Sequence, residues 1–288
     1  MYYGLIFVSV AMFGGCFALN DVYRKKRGSS IKISMEASFI GSLAGLICLL
    51  IINKFQLEYT FFTLIIGLVT AVNAIAFTFF SFKALDTINL SLFSLFSMLG
   101  GMLLPFMQGI IFYDEKITVA KAVCVILIFI ALSLTVTKGK KNKGYVYYAG
   151  VFVLNGMSGV LSKLFNELPY PKTSAAGYTL WICICTVVLS GAAWLVSSRK
   201  KSPHEPKLTL STVTVGAANG IMNKMANFLL VIALMHVDAS VQYPAVTGGV
   251  MIVSTLICFF GERKPSKKEI ISVIFAFMGT LALFVIPI

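Results

Sequence analysis

One lysine of this sequence lies in the middle of a long apolar segment. Lys224 is the only charged residue between positions 208 and 235. A charge at the centre of a membrane span costs at least about 2.5–3.5 kcal/mol on insertion scales, so such residues are usually turned toward a cavity or a partner. On a helix, side chains three or four positions apart share a face. Lys224 shares its face with small and polar residues: Gly216, Asn219, Gly220, Asn223 and Asn227.

The sequence leaves two interpretations of this face open. In the first, the Lys224 ammonium binds a carboxylate or phosphate of a solute, and Asn219, Asn223 and Asn227 supply the hydrogen-bond donors and acceptors that orient it. In the second, Lys224 pairs with backbone carbonyls or a buried acid and only holds helices together. Either way the face is unfavourable against lipid, so we predict that it points into the protein. We take the first interpretation as the predicted binding site.

Polar side chains in other apolar segments extend this predicted site. Asn73 and Asn155 are included because an amide costs more to leave unpaired in an apolar environment than a hydroxyl does. Packing between helices is the alternative role for both. Gln242 and Tyr243 precede Pro244, which frees a backbone carbonyl and permits bending. Tyr243 could stack on a solute, or it could lie at the membrane interface.

Composition identifies the setting of these residues as a lipid bilayer. The chain has 288 residues, of which 58% are hydrophobic and 12% charged, whereas soluble proteins are about 45–50% apolar and about 25% charged. The net charge of +13 lies in short runs between apolar segments, which is typical of membrane orientation and not of nucleic-acid binding. We therefore predict an all-α integral membrane protein with ten transmembrane helices, in spans near 3–22, 35–53, 61–82, 88–112, 117–137, 144–164, 174–197, 209–234, 239–260 and 268–286.

The distribution of basic residues predicts an orientation. The connections after spans one, three, five, seven and nine contain 18 lysines and arginines, against five on the other side. Because cytoplasmic loops are enriched in Lys and Arg, the side with 18 is predicted to be cytoplasmic. Both termini then lie outside the cell, and we predict a multi-pass protein of the plasma membrane.

Two halves of the chain share sequence features. Gly67, Asn73 and the turn at residues 83–91 align with Gly216, Asn219 and the turn at residues 232–240. An acidic turn then precedes the last span of each half. Because five spans is an odd number, two such units must have opposite orientations, as in many secondary transporters. We predict two inverted five-helix repeats, residues 1–137 and 138–288.

These residues resemble a known family. The Ala-Leu turns and the run from Gly261-Glu262-Arg263 to the Gly279-bearing helix are similar to the drug/metabolite transporter (DMT) superfamily, specifically its EamA-type ten-helix members. The first-half turn, Tyr113-Asp114-Glu115, departs from the usual Gly-Glu. The likeness implies the ten-helix fold and transport, but no substrate. It also implies cytoplasmic termini, and here we keep the orientation that the charges predict.

The prediction that follows is a secondary transporter working by alternating access, with a site between spans three, four, six, eight and nine. Its substrate is predicted to be a small polar metabolite, an amino acid or another anion-bearing solute. A coupling proton or a counter-solute is a candidate partner. The acids Asp21, Glu36, Asp86, Glu167 and Asp238 all fall near span ends, which ranks an exporter of amphipathic drugs or organic cations second.

A membrane-embedded scaffold or lipid-modifying enzyme is the alternative from another class. The sequence has no phosphate-binding glycine loop, histidine metal cluster or nucleophile motif. We therefore predict no enzymatic activity, no metal and no cofactor. The short turns at residues 86–89 and 236–238 are predicted hinges for the rocking of paired helices.

Overall fold

In the computed structural model the described residues form ten α-helices, as the apolar segments predict. Residues 2–113, 118–135, 144–198, 206–234, 236–237 and 239–285 are described. The helices are α1 (Tyr2–Arg27), α2 (Ile31–Ile52), α3 (Phe61–Thr87), α4 (Leu90–Phe112), α5 (Val119–Thr135), α6 (Tyr145–Glu167), α7 (Ala175–Ser198), α8 (Leu210–Leu234), α9 (Ala239–Phe259) and α10 (Lys267–Val285).

Side-chain caps start several of these helices. The hydroxyls of Ser30 and Thr60 and the amide oxygen of Asn89 each accept a hydrogen bond from the backbone N–H three residues later. These contacts satisfy donors that the first turn of a helix leaves unpaired. Between α1 and α2 the chain reverses at Gly28, whose φ of +101° is accessible to glycine at little cost.

Two helices extend past the predicted ends of their spans. α1 continues to Arg27 instead of ending near residue 22, and α3 continues to Thr87 instead of ending near residue 82. The extension of α1 carries four basic residues, which are favourable at the negative end of the helix dipole. Several of them are also paired with acids, so charge does not end the helix.

Helix contacts trace a closed ring of eight helices. In order around the ring these are α8, α1, α9, α4, α6, α3, α7 and α2, and α2 returns to α8. α5 packs against α10 beside this ring, and α10 contacts α9. α1 and α3 therefore lie on opposite sides of the ring, as do α6 and α8. Each ring helix presents one sector of its surface to the interior.

Six of the described helices, α1 to α4, α6 and α7, are long and apolar enough to cross a membrane. Shorter apolar stretches occur in α5 and α9. Many large apolar side chains are exposed on the outside of these helices, with Phe7 73% and Phe129 62% exposed. Such surfaces are consistent with a membrane protein, whose outer face contacts lipid and not water.

We call the end of the bundle where α1, α3 and α9 end and α2, α4, α8 and α10 begin the basic end. Hydrogen bonds across it join Lys26 to Ser211 and Asn89 to Glu269. The opposite end, called the far end, contains the α2–α3 and α6–α7 connections, which meet where Glu58 bonds to Ser174. α8 therefore runs from the basic end toward the far end.

Candidate functional site

Glycines bring α8 into close contact with α2. A Cβ atom at Gly220 would overlap the backbone carbonyl of Gly41, and one at Gly41 would lie 3.4 Å from the carbonyl oxygen of Gly216. Small residues let helix backbones approach closely enough to replace side-chain packing with backbone contact. Part of the predicted polar face of α8 is thus a packing surface, and the glycines in it have a structural role.

Lys224 lies beyond these glycines, with its side chain over α2. A Cβ atom at Gly45 would lie 2.7 Å from Lys224 Cγ, so the glycine leaves room for the lysine stem. The side chain is half-buried. Within the described part of the chain it makes no hydrogen bond or ion pair, and its ammonium interacts electrostatically with the Cys16 thiol of α1. The structural interpretation of Lys224 requires a carbonyl or acid partner, and none is found among those residues.

Asn219 joins α8 to α1. Its Nδ2 donates to Asn20 Oδ1 at 2.9 Å, and its backbone carbonyl lies 3.6 Å from Cys16 Sγ. The other end of the amide, Asn219 Oδ1, is buried and accepts no hydrogen bond from any described residue. A buried acceptor without a donor is unfavourable. The polar face of α8 thus contains an unsatisfied acceptor as well as a cation.

Asn223 and Asn227 face the space between α1 and α2. An α-helix turns about 100° per residue, so with Asn219 directed at α1 and Gly220 at α2, these two residues lie in the intervening sector. That sector is the one that α8 presents to the interior of the ring. Asn223 is half-buried and Asn227 is exposed. Asn227 Nδ2 donates to the carbonyl of Asn223 at 2.7 Å, which leaves its side-chain oxygen directed away from the backbone.

Asn73 and Asn155 lie across the ring and contact neighbouring helices. Asn73 Nδ2 donates to Leu154 O and to Ser158 Oγ of α6, both at 2.9 Å. Asn155 Nδ2 donates to Ser97 O of α4 at 2.6 Å. Their amide nitrogens are therefore engaged in helix packing, and a binding role for them stays a prediction. The side chains of the other two predicted site residues, Gln242 and Tyr243, lie outside the described residues.

The sequence did not reveal a buried charge network at the basic end. Glu36, expected near the end of a span, is 1% exposed. It accepts hydrogen bonds from Arg27 Nε at 2.8 Å and Arg27 Nη2 at 2.6 Å, and from Tyr23 Oη at 2.7 Å. The turn at Gly28 folds α2 back on α1 and brings the acid to the arginine. The signal that could have indicated this pair is an Arg and a Glu flanking a glycine turn.

Glu58 organises the far end. Its carboxylate accepts from the backbone N–H of Ser174 at 2.5 Å and from the Ser174 hydroxyl at 2.8 Å. Its carbonyl accepts from the Trp181 indole at 2.7 Å. The hydrogen bonds from Ser174 stabilise the ionised form and lower the pKa of Glu58. This carboxylate is bound at the start of α7 and has a structural role.

The described residues contain no group of three or more His, Cys, Asp or Glu side chains arranged to hold a metal ion. The polar atoms near Lys224 are instead amides and an ammonium. Such a set can bind an anionic group and hydrogen-bond its neighbours.

Comparison with protein-family models gives no match, and comparison with curated protein sequences also gives none. Among solved structures, 24 chains are similar to this one. One of them, described as "Crystal structure of protein", has a TM-score of 0.61 and 17% sequence identity, covering 96% of this chain and 97% of that chain. At this identity the likeness shows the fold alone. The arrangement of helices over nearly the whole chain is thus one that a solved protein also has.

Proposed function

We propose that this chain is a secondary active transporter of the plasma membrane, moving a small polar metabolite with a carboxylate or other anionic group by alternating access. The observation that carries the proposal is Lys224, a half-buried ammonium that forms no hydrogen bond or ion pair with the described residues. A charge at this depth is unfavourable unless something offsets it. A bound anion would do so.

The surroundings of Lys224 support a polar solute over a purely apolar one. Asn219 Oδ1 is a buried acceptor without a described donor, and Asn223 and Asn227 carry further amide groups in the interior sector of α8. A solute with a carboxylate for the ammonium and N–H or O–H donors for amide oxygens of this face would satisfy both kinds of group. Amino acids carry both.

The proposal includes two inverted repeats, residues 1–137 and 138–288, and helix contacts support them. In two such repeats, α1 to α5 correspond to α6 to α10 in order. The α3–α6 contact then corresponds to the α8–α1 contact, and the α3–α7 contact to the α8–α2 contact. Residues aligned by sequence occupy these corresponding interfaces. Asn73 bonds to α6 and Asn219 to α1, while Gly67 packs on α7 and Gly216 on α2.

The proposal also includes ten membrane spans and the cytoplasmic location of the basic end. Four of the described helices fall outside the group of six that length and apolarity identify as candidate spans. Among these four are α8, which carries the polar face, and α5 and α10, which pack on each other. Together with that group they would give ten spans. The excess of Lys and Arg in the connections at the basic end supports its cytoplasmic location.

Uptake into proteoliposomes tests the proposal. The full chain is reconstituted and offered radiolabelled amino acids, dicarboxylates, sugar phosphates and an amphipathic organic cation. We expect uptake of an anion-bearing solute, and Lys224→Ala should raise its KM about tenfold or more, because a hydrogen bond to a charged group contributes about 1.5–3 kcal/mol. Lys224→Arg should retain part of the affinity, because it keeps the charge.

Lys207→Ala is the matched control. It also removes one lysine, but from the exposed connection before α8, and should leave KM unchanged. Lys224→Ala with unaltered KM for every transported solute would contradict the binding assignment. Uptake of the organic cation alone would favour the drug-export alternative. Absence of uptake for the whole panel, with a folded protein, would count against transport and for a scaffold or an enzyme.

A further inference from the structure

An ion pair crosses the interior of the ring at the basic end. Arg24 Nη1, at the end of α1, donates to Asp86 Oδ1, at the end of α3, at 2.6 Å. α1 and α3 lie on opposite sides of the ring, so this contact is not one between ring neighbours. Ser29 also donates to Asp86 Oδ2, and Asp21 binds the remaining face of the Arg24 guanidinium at 2.7 Å.

An aromatic pair fills the ring just inside this ion pair. The rings of Tyr23 in α1 and Phe82 in α3 stack with centroids 5.9 Å apart. Tyr23 is 2% exposed and Phe82 is fully buried. Ile33 of α2 and Val215 of α8 pack against them. Side chains from four ring helices therefore meet at this level.

The second half of the chain also contacts the turn after α3, which contains Asp86. Arg263, in the α9–α10 connection, donates from Nη1 to the carbonyl of Asp86 at 3.0 Å and lies 3.4 Å from that of Leu85. Lys25 Nζ lies 3.5 Å from Glu262 Oε2 of the same connection. The turn after α3 is thus bound by α1 on one side and by the α9–α10 connection on the other.

Equivalent contacts are not found at the far end among the described residues. α1 contacts α3, which lies opposite in the ring, and at the basic end these contacts include Arg24–Asp86 and Tyr23–Phe82. α1 also contacts α4, and α2 contacts α3, in each case past one intervening ring helix. Their counterparts would be α6 with α8 and α9, and α7 with α8, and in the described chain these have at most marginal contact. The two ends of the ring are therefore closed to different extents.

The exposure of the polar face of α8 also differs between its basic-end part and the part nearer the far end. Gly216, beside Tyr23, is buried; Asn219, Asn223 and Lys224 are half-buried; and Asn227, the nearest of these to the far end, is exposed. Along this stretch of α8 the exposure of the polar face therefore rises with distance from the basic end.

From this asymmetry we infer that the basic end is a closed gate, latched by Asp86, and that the Lys224 site opens to the far end. The inference rests on the proposed transport function for its purpose. Opening the basic end requires the turn after α3 to leave Arg24, Ser29 and Arg263, and the Tyr23–Phe82 stack to separate. If the basic end is cytoplasmic, this is the outward-open state.

Side-specific cysteine labelling tests the gate without requiring a known solute. Asn223→Cys serves as the reporter in right-side-out and inverted membrane vesicles. It is treated with a membrane-impermeant maleimide, and peptide mass spectrometry identifies the labelled cysteine. Gln56→Cys and Lys207→Cys, in exposed connections at the far and basic ends, establish which vesicles present which end.

In the parent chain we expect the reporter to be labelled only from the side that labels Gln56→Cys. Asp86→Ala should increase labelling from the Lys207→Cys side about tenfold or more, because it raises the population of a minor open state. The charge swap Arg24→Asp with Asp86→Arg should restore the parent pattern. Glu58→Gln, which removes a carboxylate at the far end between ring neighbours, should leave basic-end labelling unchanged.

Equal labelling of the parent from both sides, or labelling only from the basic end, would overturn the gate even if the Asp86 variants failed to fold. Unchanged labelling in both Asp86→Ala and Asp86→Asn would overturn the latch. Because labelling needs no solute, this result is independent of uptake. Lys224-dependent uptake without a gate effect would leave the proposed function standing, and a gate without uptake of any solute would count against transport alone.

Discussion

Gly220 of α8 lies directly against Gly41 of α2, with no side chain between the two backbones. A Cβ atom at Gly220 would overlap the carbonyl group of Gly41. This contact is next to Lys224, whose stem passes over Gly45 one turn further along α2. The position of the lysine relative to α2 therefore depends on how closely two glycines let the helices approach.

The first prediction concerns this approach. Gly220→Ala should destabilise the protein by about 1–3 kcal/mol, the usual cost of extra atoms in a packed interior, because neither backbone can yield without separating the helices. Thermal unfolding in detergent measures the effect. Gly4→Ala is the control, since nothing lies within 4 Å of a Cβ atom there. Equal melting temperatures for the two variants would show that α2 and α8 are not packed this closely.

The second prediction concerns the buried pair of Arg27 and Glu36. Glu36→Ala should cost about 3–5 kcal/mol, because it removes the carboxylate that pairs with the buried arginine. Both side chains are at most 5% exposed, so water cannot replace the lost contacts. Tyr23→Phe removes only the phenol hydrogen bond and should cost about 1 kcal/mol.

A double substitution distinguishes the loss of the ion pair from the effect of leaving one charge buried. Arg27→Met with Glu36→Met removes both charges, and we expect it to be markedly more stable than Glu36→Ala, because no uncompensated charge remains. Denaturant or thermal unfolding of the four proteins completes the comparison. A double variant no more stable than Glu36→Ala would contradict this expectation.

The third prediction distinguishes a binding role from a structural role for Lys224. Lys224→Met should leave the melting temperature unchanged or raise it, because the ammonium has no hydrogen bond or ion pair among the described residues and a charge in this setting is costly. A loss of stability similar to that of Glu36→Ala would support the structural role. The same preparation can be used for uptake, so that stability and KM are compared in one protein.

The sequence was sufficient to predict the ten helices and the polar face of α8. Long apolar runs separated by polar turns identify spans without knowledge of their neighbours. Lys224 is recognisable because it interrupts such a run. The ends of the helices were less predictable. α1 continues to Arg27 because its basic residues form ion pairs with acids that are partly distant in sequence. Hydropathy does not contain information on such pairs.

The contacts between helices could not be predicted in the same way. Arg24 and Asp86 are 62 positions apart, and their pairing depends on which helices lie opposite each other in the ring. Asn73 and Asn155 looked equivalent to the asparagines of α8, but their amide nitrogens donate to backbone carbonyls of α6 and α4. Backbone acceptors exist at every position, so a sequence cannot indicate which of them a side chain will reach.

The fourth prediction is a pH dependence at the far end. The pKa of Glu58 is below its ordinary value of 4.5 because the folded protein donates hydrogen bonds to the carboxylate. A carboxyl group with a lowered folded pKa contributes stability that is fully present above its unfolded pKa and is lost as the pH falls through the folded pKa. The parent should therefore lose stability relative to Glu58→Gln when the pH falls below about 4.5.

Unfolding of both proteins between pH 7 and pH 3 measures this difference. Above the unfolded pKa the parent should be more stable than Glu58→Gln by a constant amount, because the amide is a weaker acceptor for the Ser174 N–H and hydroxyl than the carboxylate is. The gap should close on acidification as the carboxylate is protonated. A gap that is the same at every pH would mean that Ser174 does not bind the ionised form preferentially.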